Sequence, residues 1–339
     1  MKKKQSNILA RALRGFFGEF LQNVRGASPN TVASYRDSIK LFLQFLNQQK
    51  QKRVSDLDIE DIGVEEVIAF LNYLEKNRGN AIGTRNDRLS AIHSFFRYTG
   101  GQHPEHLYKS QLILGIPFKR MSTRPIEYLE FDEITTLLNT VDRSKPYGRR
   151  DYALLSTMFN TGARAQEIAD LRGIDLQLTN PSSITIHGKG KKMRIVPIWP
   201  QTAQVLSDFV EEQDIDLHRP VPVFMNHLHK PLTRFGIRYI LAKYVRIAAV
   251  SHPSLKKKNI HPHCMRHSTI LHLLKSGNDI ITVANWVGHC SPNTTNKYAT
   301  IDLEMKRKAL QKAKPLDSKT KIEALWRKDP NILKWLESL

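Results

Sequence analysis

Apolar residues recur at intervals of three and four positions through the first hundred residues of this chain, which is the spacing of amphipathic helices. Ser28 and Pro29 supply an N-cap and a residue favoured at the first helical position, so a helix is expected to begin there. The buried stripe of that helix comprises Val32, Tyr35, Ile39, Phe42, Phe45 and Leu46. Similar stripes over residues 64–74 and 81–98 predict further helices. Residues 1–100 are therefore expected to form a small helical domain.

Basic residues lie off these apolar stripes and continue along the whole chain. Arg36 and Lys40 fall outside the first stripe, and Arg85 and Arg88 fall outside the last. The sequence has 52 Lys and Arg residues against 32 Asp and Glu residues, a formal net charge of +20. A basic excess spread over both halves points to an anionic polymer, and first of all a nucleic acid, as the partner. These four cations are predicted to bind DNA.

The composition is that of a globular protein in a reducing compartment. About 40% hydrophobic and 25% charged residues exclude a disordered or fibrous chain. No apolar run approaches the roughly 18 residues of a membrane helix, and the basic N-terminus lacks the apolar segment of a secretory signal. Two cysteines offer no disulfide framework. A cytoplasmic location without membrane contact is expected.

The pattern changes beyond residue 100. Residues 101–125 are rich in Gly, His, Pro and Lys, which is typical of a linker. A second domain is expected over residues 126–312, where a turn rich in Gly and Lys joins two strands, residues 183–187 and 193–198, as a hairpin. Residues 313–339 are expected to form a helical C-terminal tail with apolar faces. The expected fold class is mainly α with a small antiparallel β-sheet in the second domain.

Two arginines stand in settings that suit phosphate binding. Arg164 opens a predicted helix, and Glu167, three residues on, can brace its guanidinium, although such a pair taken alone is usually a surface ion pair. Pro262 fits the first position of another helix and places His263 and Arg266 on one face near its N-terminus. That end of a helix favours anions, and Arg beside His suits phosphate binding with proton transfer.

The hairpin turn and the segment after residue 286 supply the remaining candidates. Lys189 lies between two glycines at the tip of the hairpin, where it can reach a phosphate, although a solvated turn is the simpler interpretation. Gly288 and His289 form a pair, and Tyr298 lies nine residues after His289. A single tyrosine is normally a core or surface residue, so these candidates indicate a functional site only in combination.

Together the candidates resemble the tyrosine recombinases of the phage-integrase family. The pattern of that family is an Arg in a Gly-x-Arg-x-x-Glu box, a Lys in a β-hairpin, His-x-x-Arg, a Gly-His pair and a Tyr about nine residues on. In the same order this sequence has Arg164, Glu167, Lys189, His263, Arg266, Gly288, His289 and Tyr298. The resemblance covers nearly the whole chain and implies a helical, SAM-like core-binding domain followed by an α+β catalytic domain.

The resemblance implies site-specific cleavage and rejoining of DNA through a covalent 3′-phosphotyrosine. Tyr298 would be the nucleophile. Lys189 would protonate the leaving 5′ oxygen, and His263 would handle the tyrosine proton. Because the phosphotyrosine conserves the energy of the broken bond, neither a metal nor another cofactor is expected.

The resemblance also implies how the charge on the phosphate is stabilised. Arg164 and Arg266 would face the phosphate oxygens, on which negative charge grows in the transition state. His289 would hold a non-bridging oxygen. Glu167 would orient Arg164 without touching the substrate.

Two features depart from the simplest form of the family pattern. Val287 precedes the Gly-His pair and Met265 lies two residues after His263, at positions where Leu is common. Cys264 and Cys290 adjoin histidines, which leaves a zinc site as a competing interpretation. Because Cys264 neighbours His263 on a helix and points elsewhere, a small buried hydrophobic role is favoured for both cysteines.

Other classes of function remain open at this point. A catalytically silent DNA-binding regulator or assembly partner of recombinase ancestry would lack the catalytic side chains, all of which are present. A metal-dependent nuclease would need clustered carboxylates near these residues. A type IB topoisomerase would relax DNA without a defined site.

The resemblance further implies the partners. Only about 15 residues precede the core-binding domain, which is typical of a two-domain recombinase acting on double-stranded DNA at short inverted repeats. The Trp-containing tail resembles those of recombinases from transposons and other mobile elements, so integration, excision or transposition is expected. By the same analogy, tails of residues 313–339 are expected to pass between protomers and link a tetramer on DNA, with packing of the tail onto its own catalytic domain as the alternative.

Overall fold

The computed structural model describes residues 7–121, 125–188, 190, 192–288 and 298. The chain divides into two units, residues 1–125 and 126–339. Each unit buries a hydrophobic core of its own. Within the described ranges, no helix combines the length and apolar character that crossing a bilayer requires.

The first unit is helical because its apolar stripes converge on one core. Its elements are α1 (Ile8–Gly15), a π-helical segment (Phe16–Val24), α2 (Pro29–Lys50), α3 (Val64–Lys76), α4 (Ile82–Gln102) and α5 (Leu107–Leu114). Helix α2 begins where the sequence predicts, and the Ser28 hydroxyl accepts a hydrogen bond from the Thr31 backbone N–H at 3.2 Å. The centre of the core is aromatic, with fully buried Phe16, Phe42, Phe70, Phe95 and Phe96.

The first unit extends into the segment that the sequence pattern assigns to a linker. Helix α4 runs through Gly100, and α5 follows within residues 101–125. Ile113 and Ile116 are buried in the core of the first unit. A Cβ atom at Gly100 would lie 3.0 Å from the Cβ of Ser110, so this glycine permits close packing of α4 against α5. A glycine that packs two helices together gives the same sequence signal as a glycine in a linker.

The second unit combines helices with a small antiparallel sheet. Its helices are α6 (Phe131–Asn139), α7 (Pro146–Thr161), α8 (Ala165–Ala169), α9 (Pro200–Glu212), α10 (Arg234–Ser251), α11 (Pro262–Lys275) and α12 (Ile280–Val287). Strands β1 (Leu176–Gln177), β2 (Ser183–His187) and β3 (Met193–Pro197) pair in that order. The β2–β3 register sets Ile184 opposite Val196 and Ile186 opposite Arg194. The predicted hairpin and the predicted fold class are confirmed.

Two features of the second unit position the residues discussed below. The Thr269 hydroxyl donates a hydrogen bond to the Phe159 carbonyl at 2.6 Å, which fastens α11 to the end of α7. A small apolar cluster joins α11 and α12 and also contains Tyr298. Its buried members are Ile270, Leu271, Leu274, Val283, Val287 and Tyr298.

Candidate active site

The turn between α7 and α8 places Arg164 beside Glu167. Gly162 has a left-handed conformation, with φ of 58°, and a Cβ atom there would lie 3.0 Å from Val287, so both the backbone and the available space require glycine. The Glu167 carboxylate accepts hydrogen bonds from the backbone N–H of Arg164 at 2.9 Å and from its Nη1 at 2.6 Å. Glu167 is 6% exposed. The predicted pair therefore forms, and it orients the guanidinium.

Arg194 is a further member of this network that the sequence analysis missed. Its Nη2 donates to Glu167 at 2.8 Å and its Nε to the Trp286 carbonyl at 3.0 Å. A Cβ atom at Gly288 would lie 3.0 Å from Arg194 Nη1. Arg194 thus connects β3 to the Arg164–Glu167 pair and to the C-terminal end of α12. The predicted β2–β3 hairpin could have revealed Arg194. Its register pairs Arg194 with Ile186, and cross-strand partners lie on the same face of a sheet, so Arg194 shares a face with a buried residue.

The two arginines keep Glu167 ionised. Burial opposes the charged carboxylate, but hydrogen bonds from Arg194 and from the Arg164 backbone outweigh it and hold the pKa of Glu167 below its ordinary value of 4.5. A carboxylate that is ionised at neutral pH holds the two neighbouring guanidinium groups in place.

Arg266 is the most deeply buried cation of the site. It is 3% exposed, and its Nη1 donates to the Gly162 carbonyl at 2.7 Å. Its Nη2 is buried and has no hydrogen-bond partner among the described residues. Burial and then the neighbouring Arg164 lower the pKa of Arg266 to about 9. An anion that accepts a hydrogen bond from Nη2 would satisfy this donor and would also stabilise the buried positive charge.

His263 and His267 of α11 occupy two different settings. His263 is exposed, and partial loss of water together with Arg266 lowers its pKa below the ordinary value. His267, one turn on, is half-buried, and its Nδ1 lies 2.5 Å from the hydroxyl oxygen of Tyr298. Burial, followed by His263, His261 and Arg266, lowers the pKa of His267 to about 4. The sequence analysis assigned His267 no catalytic role.

Tyr298 is 3% exposed and packs in the apolar cluster between α11 and α12. Burial raises its pKa to about 12, although Arg266 opposes the shift. The described residues therefore bring Arg164, Glu167, Arg266 and Tyr298 into one electrostatic neighbourhood, with His263 and His267 beside them.

Several predicted features lie outside the described residues. These are Lys189, His289, Cys290 and the tail of residues 313–339. The other cysteine is buried, and its Sγ lies 3.6 Å from the Asn259 carbonyl oxygen, so Cys264 faces away from the histidines. No group of three or more His, Cys, Asp or Glu residues suited to a metal occurs in the described part of the chain.

The four cations predicted to bind DNA differ in exposure. Arg36 and Lys40 are exposed on α2, although Arg36 also pairs with Asp37 at 2.9 Å.

The side chain of Arg85 is only 12% exposed and lies 3.6 Å from Glu75. Burial, followed by nearby Arg78, lowers the pKa of Arg88. Of these four cations, the exposed ones are therefore Arg36 and Lys40 of α2, and Arg85 is engaged within the protein.

Helix α10 carries a second basic surface, which the sequence analysis missed. Between Arg234 and Ser251 it contains no acidic residue. Its exposed positions include two aromatic side chains, Phe235 (67% exposed) and Tyr239 (73% exposed). Four cations accompany them: Arg234, Arg238, Lys243 and Arg246. The helix-wide absence of Asp and Glu was visible in the sequence and is the signal that could have revealed this surface.

Comparison with known proteins identifies the class. The N-terminal SAM-like domain of phage integrases matches residues 16–102, and the phage integrase family matches residues 127–305. The chain is 37% identical over 336 residues to a putative integrase/recombinase, y4rC, of Sinorhizobium fredii, covering 98% of each. It is 28% identical over 305 residues to tyrosine recombinase XerC of Bacillus pumilus, covering 88% of this chain and 95% of that one.

These matches, with the fold and the clustered residues, define a tyrosine-type site-specific DNA recombinase. The chain belongs to the phage integrase family, as the resemblance in its sequence indicates.

Solved structures share the fold. A XerH site-specific recombinase bound to its difH substrate matches with a TM-score of 0.65 at 22% identity, covering 87% of this chain and 83% of that one. The Tn1549 transposon integrase in complex with transposon right end DNA matches with a TM-score of 0.67 at 16% identity, covering 87% of this chain and 97% of that one.

Replacing Arg194 with Gln is expected to destabilise the second unit by about 1.5–3 kcal/mol, because buried Glu167 loses a charged donor. Urea unfolding at pH 7 measures this change. Because folding lowers the pKa of Glu167, its contribution is present above pH 4.5 and is lost as the pH falls through the folded-state pKa. The variant should therefore lose less stability on acidification than the wild type does.

The matched control for this variant is Arg36→Gln. That arginine is 65% exposed, so its loss should change stability by no more than about 0.5 kcal/mol. Equal unfolding midpoints for Arg194→Gln and wild type would contradict the bridging role of Arg194.

Proposed function

We propose that this recombinase cuts and rejoins double-stranded DNA at short inverted-repeat sites through a covalent 3′-phosphotyrosine. Tyr298 attacks phosphorus, and the 5′ oxygen leaves. Rejoining reverses these steps, with the 5′ hydroxyl of a partner strand as nucleophile. The energy of the original bond is kept in the phosphotyrosine, so the proposed reaction requires neither ATP nor a metal.

The Nη2 atom of Arg266, which has no hydrogen-bond partner in the described part of the chain, carries this proposal. A buried guanidinium with a free donor is costly unless an anion completes its hydrogen bonds. Arg164, held by Glu167, and the exposed ring of His263 lie nearby, so a phosphate group has several donors within reach. Tyr298 supplies an oxygen nucleophile in the same neighbourhood.

The remaining roles follow the family pattern. Lys189 protonates the leaving 5′ oxygen, and His289 donates to a non-bridging phosphate oxygen. A histidine of α11 takes the proton of the tyrosine. Glu167 and Arg194 hold the guanidinium of Arg164 without touching the substrate.

A covalent-adduct assay tests the proposal. The DNA flanking the gene supplies candidate ends, which are prepared as nicked substrates that trap the cleaved state. Wild-type protein should form a denaturation-resistant adduct on these ends in excess chelator, and should leave a supercoiled plasmid without such ends unrelaxed. Loss of the adduct in chelator with recovery on adding zinc, or relaxation of the plasmid without a site, would contradict the proposal.

The exposed cations of α2 and α10 are proposed to contact the DNA backbone. Lys40→Gln and Arg238→Gln should each weaken binding across sequences. Each should also reduce the slope of log affinity against log salt concentration by about 0.9, the value for one lost phosphate contact. Titrations by fluorescence anisotropy at several salt concentrations measure both effects.

Lys145→Gln is the control for these binding experiments. Lys145 is 76% exposed, lies outside both surfaces and pairs with Asp142. Its substitution should leave the slope unchanged. An unchanged slope for both Lys40→Gln and Arg238→Gln would show that the DNA lies elsewhere.

We also propose that the protein serves a mobile element by integration, excision or transposition, and that four protomers assemble on two DNA sites through exchange of residues 313–339. A protein truncated after Lys314 should bind one site normally but form fewer two-site complexes and recombinants. Native gels with one-site and two-site DNA test this. Full recombination by the truncated protein would refute tail exchange.

A further inference from the structure

The hydroxyl of Tyr298 is held by an imidazole that the family pattern does not include. The Nδ1 atom of His267 lies 2.5 Å from the tyrosine oxygen, and the two ring centroids are 5.6 Å apart. Both rings lie beside the start of α11, where no side chain or backbone group of the described ranges accepts a hydrogen bond from Arg266 Nη2. The nucleophilic oxygen is therefore already paired with a nitrogen that can accept its proton.

We propose that His267, rather than His263, takes the proton of Tyr298 when the tyrosine oxygen attacks phosphorus, and returns it when the strands are rejoined. This inference rests on the proposed function and names the base in that reaction. His267 would then be a catalytic residue, because it contacts a reacting atom.

The charges around His267 set the direction of this hydrogen bond. The cations and histidines that act on it are His263 and Arg266 of α11 and His261, which precedes that helix, and the group opposite is Tyr298. With a pKa near 4, His267 is neutral at pH 7, whereas Tyr298 with a pKa near 12 keeps its proton. The resting state is therefore a tyrosine hydroxyl that donates to an unprotonated Nδ1, with the ring proton on Nε2.

Substrate binding favours transfer of the proton from the Tyr298 hydroxyl to His267. A phosphate placed at Arg266 brings negative charge close to His267 and raises the affinity of the imidazole for a proton. As the tyrosine oxygen bonds to phosphorus, that oxygen loses its own affinity for the proton. The proton then moves along the hydrogen bond between the two side chains.

His263 is less suited to this step. Its ring stands 6.2 Å from that of His267, at an angle of 23°, and its side chain is exposed. The charges that act on it include Arg266, Arg164 and Glu167, which places it on the phosphate side of the site. A donor to a phosphate oxygen is the role that this position fits.

The proposed step balances in protons and electrons. An electron pair of the Tyr298 oxygen forms the bond to phosphorus, and the bond from phosphorus to the 5′ oxygen breaks with its pair. The tyrosine proton goes to His267 Nδ1, and Lys189 gives a proton to the 5′ oxygen. In rejoining, the 5′ hydroxyl attacks phosphorus and gives its proton back to Lys189, the bond from phosphorus to the tyrosine oxygen breaks with its pair, and that oxygen takes the proton that His267 returns.

His267→Asn tests this assignment, because the amide oxygen lies near the place of Nδ1 and accepts the hydrogen bond but cannot take the proton. Single-turnover cleavage of a nicked substrate should be about 10²- to 10⁴-fold slower at pH 7. The rate of the variant should rise tenfold per pH unit from pH 6 to 9, because tyrosinate becomes the attacking form. The wild-type rate should be nearly flat over this range, because His267 is already neutral.

A second substrate separates the two proton transfers. A 5′-bridging phosphorothiolate has a sulfur leaving group that needs no proton, so it bypasses the leaving-group acid. The defect of His267→Asn should persist in full on this substrate. Rescue would place His267 on the leaving group and overturn the proposal.

His263→Asn is the matched control, one helical turn away on the same face. It should keep the flat pH profile of the wild type, even if phosphate binding weakens. A log-linear profile in His263→Asn together with a flat one in His267→Asn would overturn the proposal. Thermal melting and DNA binding confirm folding of each variant, and His267→Gln provides a second substitution without a basic nitrogen.

The outcomes also distinguish this proposal from the one on which it rests. If wild-type protein forms no adduct on the candidate ends, the proposed function fails. If wild type forms the adduct and His267→Asn does so at the same rate with the same pH profile, only the role of His267 fails.

Discussion

Replacing Tyr298 with Phe is expected to abolish the covalent protein–DNA adduct and to leave DNA binding nearly intact. The substitution keeps the ring that packs between α11 and α12 and removes only the hydroxyl. Without that oxygen, nothing at this position can attack phosphorus, so cleavage should fall to background. Denaturing gels on a nicked substrate report the adduct, and gel shifts on the same DNA report binding.

Tyr108→Phe is the control for this variant, because Tyr108 is 75% exposed on α5. It should form as much adduct as the wild type. Loss of the hydrogen bond to His267 should cost Tyr298→Phe about 0.5–1.5 kcal/mol of stability, too little to unfold a typical domain. An adduct formed by Tyr298→Phe would identify a different residue as the nucleophile.

Replacing Arg266 with Met is expected to slow cleavage by at least about 10²- to 10³-fold, the effect of removing one preorganised donor. Arg266→Lys should recover little of this loss, because a single ammonium cannot reproduce the two-pronged guanidinium that binds both Gly162 and the phosphate. Single-turnover cleavage rates at saturating protein measure both variants. Wild-type rates in Arg266→Lys would contradict the role of the guanidinium.

The Arg266→Met substitution also distinguishes a catalytic role of Arg266 from a role in the stability of the fold. Folding places the Arg266 charge where burial and Arg164 disfavour it. Removing that charge offsets the loss of the hydrogen bond to Gly162, so the DNA-free Met variant should melt no earlier than the wild type. A large drop in its melting temperature would mean that Arg266 acts mainly as a structural residue.

The parts of the structure that the sequence predicts are those encoded by near neighbours. The start of α2 depends on Ser28 and Thr31, and the β2–β3 hairpin on alternation over a few residues. The Arg164–Glu167 pair was predictable because three residues of a helix separate its members. The matches to the phage integrase family confirm the resemblance read from these motifs.

The parts that the sequence does not reveal depend on distant partners. Arg194 meets Glu167 across 27 positions, and His267 meets Tyr298 across 31. No local pattern encodes such contacts, since they arise only when α11, α12 and the hairpin have packed. The same holds for Arg85: its sequence neighbours predict a cation that faces DNA, but its guanidinium lies 3.6 Å from the carboxylate of Glu75, which belongs to another helix.

The two separate cores bear on how such a chain changes over evolutionary time. One core is built from residues between Leu9 and Ile116, the other from residues between Leu129 and Met265, so the two share no buried side chain among the described residues. A substitution on the outer face of α2 therefore leaves the packing behind Arg164 and Arg266 untouched. Over evolutionary time, each unit can therefore accumulate compensating changes in its own interior without altering the buried side chains of the other.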